Sequence, residues 1–203
     1  MSKSSGPYHH GDLRAACLRA ARELLDEDGG AGLSLRAVAR RAGVSPTAPY
    51  RHFAGREELV STIAAEGYRE LAGCLAEAHP APLTPVDLAA VGVAYVRFAL
   101  EHPALFRVMF TEPCDPSNDE RAAAAAATSA YVDALVRRAF PEAGADVRAL
   151  STAVWALVHG LAVLHLDGKL DASTQEAVTD RVRAAVHAVS GLAAQRPGAP
   201  ARR

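Results

Sequence analysis

Five arginines and no acid lie between Ser34 and Arg56: Arg36, Arg40, Arg41, Arg51 and Arg56. The chain of 203 residues carries a formal net charge of −1, so this cluster is a local positive field on a neutral body. Guanidinium groups at this density suit phosphate oxygens, which they meet with forked donors. Tyr50 and His52, inside the cluster, add donors carried on aromatic bodies. Arg56 opens a long helical pattern, where the first backbone N–H groups also point outward to form a phosphate site. A basic surface hairpin that binds nothing is the alternative with the same composition.

Other chemistry finds little support. There is no G-x-S-x-G, no P-loop, no H-E-x-x-H and no pair of carboxylates at fixed spacing, so no enzyme is expected. Cys17, Cys74 and Cys114 form no CxxC and are odd in number, which fits neither a disulfide framework nor a zinc site, and suits a reducing cytoplasm. Cys114 has no basic neighbour in its loop and is expected to be an inert thiol. His159 and His165 stand six residues apart and face different ways on a helix, so no metal pair and no cofactor is expected. The opening MSKSSGPYHHGDLR lacks an apolar core and does not read as a signal peptide. The longest apolar stretches are broken by Gly, His or charge before reaching membrane-span length, so a cytoplasmic protein is expected.

The elements that must hold these residues are all helical. Leu13, Ala16, Cys17, Ala20, Leu24 and Leu25 recur with a 3.6 period, with Asp12 as a cap and Gly29-Gly30 as a stop. Ser34 caps a second helix bearing Leu35, Val38, Ala39 and Ala42, stopped by Gly43. A third, short one starts at Ser45, and Gly55-Arg56-Glu57-Glu58 opens a long one to about Ala78. After the break at 79–85 come helices over 86–102, a short apolar PALFRVMF segment, 120–140, 146–166 and 173–194. The alanine run at 122–127 reads as helix. No period-two alternation marks a strand. The fold class expected is therefore all-α with about nine helices, ending in a disordered tail at 196–203.

Helix, glycine turn, helix over 34–53 is the layout of a helix-turn-helix, whose second helix enters the DNA major groove. This accounts for Pro46 and Pro49, three apart in what looks like helix. Pro46 falls on the first helical position after a Ser45 cap, where its missing N–H costs nothing, and Pro49 forfeits at most one bond near the start. The element is short and stiff, and only its N-terminal end has to meet bases.

RAVARRAGVSPTAPYRHFAGREELV, read as A-G-V-S-x-x-x-x-Y-x-H-F-x-x-R-E-E-L, resembles the DNA-binding region of the TetR family of bacterial transcription regulators, over roughly residues 8–60. The resemblance implies that Ser34, Tyr50, His52 and Arg56 contact phosphates. It implies that Arg36, Ser45, Thr47 and Ala48 face bases or their edges, and that Phe53 ties the recognition helix to the long helix. The tract departs from the family at Pro46 and Pro49 and carries few long polar side chains. Thymine-methyl contacts and DNA shape are therefore expected to contribute more than bidentate bonds. The YHHGDLR arm, whose His9-His10 are expected to touch phosphates, and WALVHGLAVL further resemble a subgroup named for a Trp-His-Gly pattern, matched by Trp155, His159 and Gly160.

The resemblance also implies a helical ligand-binding and dimerisation domain over 61–195, behind a DNA-binding domain over 1–60. The last two helices are the expected homodimer pair, with the stripes Leu150, Val154, Leu157, Val158, Leu161 and Val178, Val182, Val186, Val189 buried between protomers. Gly160 suggests close helix approach. Tyr95, Phe98, Phe106, Met109, Phe110, Trp155 and His159 are candidates for lining a pocket for a small apolar effector; closed core is the alternative for each. The expected function is a ligand-responsive repressor that binds an inverted-repeat operator on double-stranded DNA as a dimer, or as a pair of dimers. An activator, or a helical interaction module without DNA activity, is the rival.

Overall fold

The structure, a computed structural model, describes residues 13–78, 84, 86–111, 117–141 and 146–194. The Asp12 cap, the His9-His10 arm, Cys114 and the tail lie outside the described residues. Among those described, eight α-helices and one 3-10 turn occur, and no strand: α1 (Leu13–Asp28), α2 (Leu35–Arg41), the 3-10 turn (Ala48–Arg51), α3 (Arg56–Ala78), α4 (Leu88–Glu101), α5 (Pro103–Phe110), α6 (Asp119–Ala139), α7 (Val147–Leu166) and α8 (Gln175–Ala194). The all-α expectation holds.

The helices end where local chemistry ends them. Asp28 closes α1 by accepting hydrogen bonds from the N–H groups of Gly30 (2.8 Å) and Gly32 (3.1 Å). Gly29 and Gly30 then take φ of 68° and 88°. Ser34 caps α2 as expected, its Oγ accepting from Ala37 N–H at 3.2 Å.

Two compact units are present. One comprises the chain up to Glu66 together with 104–122; the other comprises 67–103 and 123 onward. In the first, α1, α2 and the 3-10 turn pack on one another around Cys17, Leu25, Val38, Phe53, Leu59 and Ile63, each at most 2% exposed. Arg14 lies over the Phe53 ring, 6.0 Å from its centre, and pairs with Glu120 of α6 at 3.2 Å.

In the second unit α4 packs against both α7 and α8. The close approach is made by a glycine of α4. A Cβ at Gly92 would stand 3.1 Å from Val186 Cγ2 and 3.2 Å from Val158 Cγ1. The close approach expected at Gly160 is absent within the protomer, where a Cβ would meet nothing within 4 Å. The valine stripe also needs correction. Val178, Val182 and Val186 are at most 2% exposed in the single chain, buried in its own core and not reserved for a second copy. Thr128 of α6 ties this helix to α3 by donating to Tyr68 O at 3.3 Å and to Ala124 O at 3.0 Å.

α7 departs from expectation in a second way. Among the described residues it is long and apolar enough, by length and composition, to cross a membrane. The cause is a helix with two apolar faces. Val147, Ser151, Val154, Val158, Leu161 and His165 point inward, while Ala149, Ala153, Ala156, Gly160 and Leu164 lie on the other side.

Gly92→Leu is expected to destabilise the protein by about 2–3 kcal/mol, because stiff β-branched valines must yield. Gly73→Ala, in the open mid-helix position of α3, is expected to stabilise it by about 1 kcal/mol. Urea titration of both variants checks the contrast.

Candidate nucleic-acid interface

Gly43 sets the turn between α2 and the element after it. Its φ is 68°. Val44 N–H reaches Ala39 O at 3.0 Å and Gly43 N–H reaches Arg40 O at 3.3 Å, the paired bonds of a Schellman ending. A Cβ at Gly43 would touch nothing, so the requirement for glycine is the backbone angle alone.

The element that follows is shorter than expected and of another kind. Ser45 does not cap a helix with its side chain. Its carbonyl accepts from Ala48 N–H at 3.0 Å, and its Oγ lies 3.4 Å from Thr47 Oγ1. The regular turn begins at Ala48, behind Thr47, and is 3-10. The prolines explain this. An α-helix from Ser45 would need an N–H at residue 49 to reach Ser45 O, and Pro49 has none, so the three-residue spacing is the one left. Pro49 O then accepts from both His52 and Phe53 N–H at 3.0 Å, which closes the turn onto the buried Phe53.

This geometry leaves Ser34, Arg36, Ser45, Thr47, Tyr50, His52 and Arg56 exposed and Ala48 half-buried. Tyr50 is 52% exposed, a large aromatic facing water. Ser34 Oγ spends a lone pair on its cap, so its own hydrogen is left to donate. Arg56 Nε donates to Leu33 O at 3.2 Å, which orients the guanidinium beside the start of α2. Glu58, the nearby acid, folds back to accept from Ala54 N–H.

One arginine of the expected cluster turns away. Arg41 pairs with Glu27, its Nη1 2.9 Å from Oε1, and with Glu23 at 3.3 Å, both on α1. The hydrogen bond from Arg41 holds the Glu27 carboxyl below its ordinary range. Arg36, Arg40 and Arg51 make no ion pair among the described residues, so the positive face consists of these three with Arg56.

The candidate ligand residues divide. Tyr95 and Trp155 line a crevice of the second unit, part of it open to solvent, with Leu75, Leu88, Val136 and Val158. His159 Nδ1 stands 3.0 Å from the Tyr95 hydroxyl, and its ring lies 5.8 Å from that of Trp155. Burial pushes the Tyr95 phenol up and the His159 imidazole down, so both are neutral at pH 7. Phe98 is buried against His102, ring centres 5.1 Å apart. Phe106, Met109 and Phe110 are on α5, in the first unit, and do not join the crevice. Sequence reasoning missed Gly92 and the aliphatic lining. The helical spacing of Leu88, Val91, Gly92 and Tyr95 is the signal in the chain that could have found the α4 part of the wall.

Residues 18–63 match the model described as bacterial regulatory proteins, tetR family, and residues 88–189 match the tetracyclin repressor-like C-terminal domain. The chain belongs to the TetR family. It is similar to the HTH-type transcriptional regulator Rv1816 of Mycobacterium tuberculosis, 31% identical over 121 residues, covering 56% of this chain and 51% of that protein. The chain thus spans about half the length of the curated relatives it matches first. Among solved structures it is similar to a protein with unknown function from Rhodococcus sp. RHA1, at TM-score 0.76 and 32% identity, covering 92% of this chain and all of that one. It also shares the fold of the TetR family transcriptional regulator PfmR from Thermus thermophilus, at TM-score 0.65 and 21% identity, with 86% and 97% covered.

Gly43→Ala is expected to cost about 1–2 kcal/mol of stability, and Gly43→Asn less, because Asn tolerates the left-handed region. Thermal unfolding of the two variants checks the order.

Proposed function

We propose that this TetR family member binds operator DNA as a homodimer and acts as a ligand-responsive repressor. The observation that carries the reading is the tract from Ser34 to Arg56, which contains no acid and leaves Arg36, Arg40, Arg51 and Arg56 exposed together with Ser45, Thr47 and Tyr50 of the glycine-stopped turn. Ser34, Tyr50, His52 and Arg56 take phosphates, and Arg36, Ser45, Thr47 and Ala48 face base edges. Thr47 and Ala48 are short, so methyl contacts and groove shape carry much of the readout. Occupation of a promoter by a dimer needs no further contact, which favours repression over activation.

The outer faces of α7 and α8 are the pairing surface. Ala149, Ala153, Ala156 and Gly160 on α7, with Ala184 and Ala188 on α8, are small enough for close helix approach. The effector is a small, uncharged, largely apolar molecule, because no charged side chain among the described residues lines the crevice around Tyr95 and Trp155. Leu75 in that wall and Arg56 at the phosphate face belong to the one helix α3, which gives a ligand a route to the DNA contact. Its effect is bounded by its differential affinity for two α3 placements, typically about 1–3 kcal/mol.

The DNA test uses a selected inverted repeat. Arg56→Ala is expected to weaken all sequences alike and to reduce the salt slope by about 1, while Arg56→Lys keeps the slope. Thr47→Ala is expected to change preference between sequences by about 1 kcal/mol. An unchanged slope for Arg56→Ala overturns the orientation. For pairing, Gly160→Leu is expected to give a folded monomer, because nothing in the protomer stands near it. Sedimentation of the wild type as a monomer at micromolar concentration refutes the dimer.

A further inference from the structure

His165, on the last turn of α7, is 4% exposed, and neither ring nitrogen has a hydrogen-bond partner. A neutral imidazole carries one N–H, so a buried donor is left unmet in the folded state. A protonated ring would carry two, and a full charge, in the same dry place.

The groups around it decide what happens then. Arg181 of α8 faces the ring with like charge, and its Nη1 is fixed by a 2.9 Å bond to Asp171 O. Asp171, in the turn between α7 and α8, is the one carboxylate among the described residues that acts on the ring. Its oxygens each accept once from Ser173, one from N–H and one from Oγ, at 2.9 Å, and neither accepts from the ring. The Leu170 backbone lies close enough to favour the charged ring slightly, without a hydrogen bond forming. No charged group of α4, the other helix packed on α7, acts on it among the described residues. The end of a helix also favours a cation, yet burying an unpaired charge costs more than that field returns.

His165 also belongs to the ending of its own helix: its carbonyl accepts from Gly168 N–H at 3.0 Å, beside Asp167 N–H to Val163 O at 2.9 Å and Lys169 and Leu170 N–H to Leu164 O at 2.8 and 3.2 Å, so a displaced ring disturbs the residue that closes the turn. Gly168, at φ 66°, reverses the chain there. We propose that His165 is a proton-operated latch, whose protonation expels the ring and opens the turn at 167–174 between α7 and α8.

The direction is set by linkage. Burial lowers the folded-state affinity of the ring for a proton, and Arg181 lowers it further. The unfolded or open state therefore binds more protons, and closure is favoured above pH 6.5, the ordinary histidine value. It is lost progressively as pH falls from there toward the folded value. If the outer faces of α7 and α8 pair two copies, opening also weakens that pairing; this consequence rests on the function proposed above, and the latch itself does not.

The test is made on the full wild-type chain. The His165 ring is titrated by NMR, and hydrogen exchange of the Gly168, Lys169 and Leu170 amides is followed from pH 7.5 to 5. The expected result is a His165 midpoint below 6.5. Opening of these amides, corrected for intrinsic exchange, should rise by up to about tenfold per pH unit within the window, while core amides of α4 stay protected. His165→Leu is expected to remove this pH dependence. A His165 midpoint at or above 6.5, or amide protection independent of pH in the wild type, overturns the latch. If His165→Leu folds and keeps the dependence, the latch is also wrong.

Discussion

A carbonyl that no α-helix can satisfy governs the basic face. Ser45 O has a proline four residues ahead and accepts from Ala48, three ahead. That substitution of a tight turn for a helix decides which side chains project. It leaves Thr47 ahead of the regular turn and Tyr50 on its outside, and it brings Phe53 down into the core where Arg14 covers it. The left-handed Gly43 directs the chain into this turn, and the Arg56 bond to Leu33 O fastens the far side. These constraints are backbone hydrogen bonds, one missing N–H, a left-handed glycine and one side-chain bond to a carbonyl, and they seat the turn on the core around Phe53.

The second unit solves a different problem. α7 is apolar around most of its circumference, and a helix of that kind must find cover on two sides. One side meets α4 at Gly92, where the lack of a Cβ lets Val158 and Val186 close in. The other, small-residue side is free in the single chain. The same economy of side-chain volume leaves a crevice bounded by aliphatic groups, the Tyr95 phenol and the Trp155 indole.

The two histidines of α7 show how placement separates residues of one type. His159 has a phenol within hydrogen-bond distance, so its neutral form is supported. His165 has an arginine facing it and no partner, and its neutral form is merely tolerated. Neither fate follows from position along the helix, since each depends on an element distant in the chain or folded back upon it.

Much of the architecture is written locally. The Ser34 cap, the stops at Gly29-Gly30 and Gly43, and the run of nine short and long helical elements depend on residues a few positions apart, and all were legible in order. So was the acid-free basic tract, which is a property of composition. What tertiary structure alone decided is sidedness and pairing. Periodicity reveals that α8 has a valine stripe, but whether that stripe meets its own chain depends on where α4 lies, and Gly92 of α4 precedes Val182 and Val186 by 90 and 94 residues. Arg41 looked like part of the basic face until α1 presented Glu23 and Glu27 to it. Phe106, Met109 and Phe110 shared a composition with the crevice residues and not a location. An interaction closed within one turn of helix can be read from the chain, because the peptide geometry supplies the distance. One that spans elements cannot, because only the packed core sets how near they come.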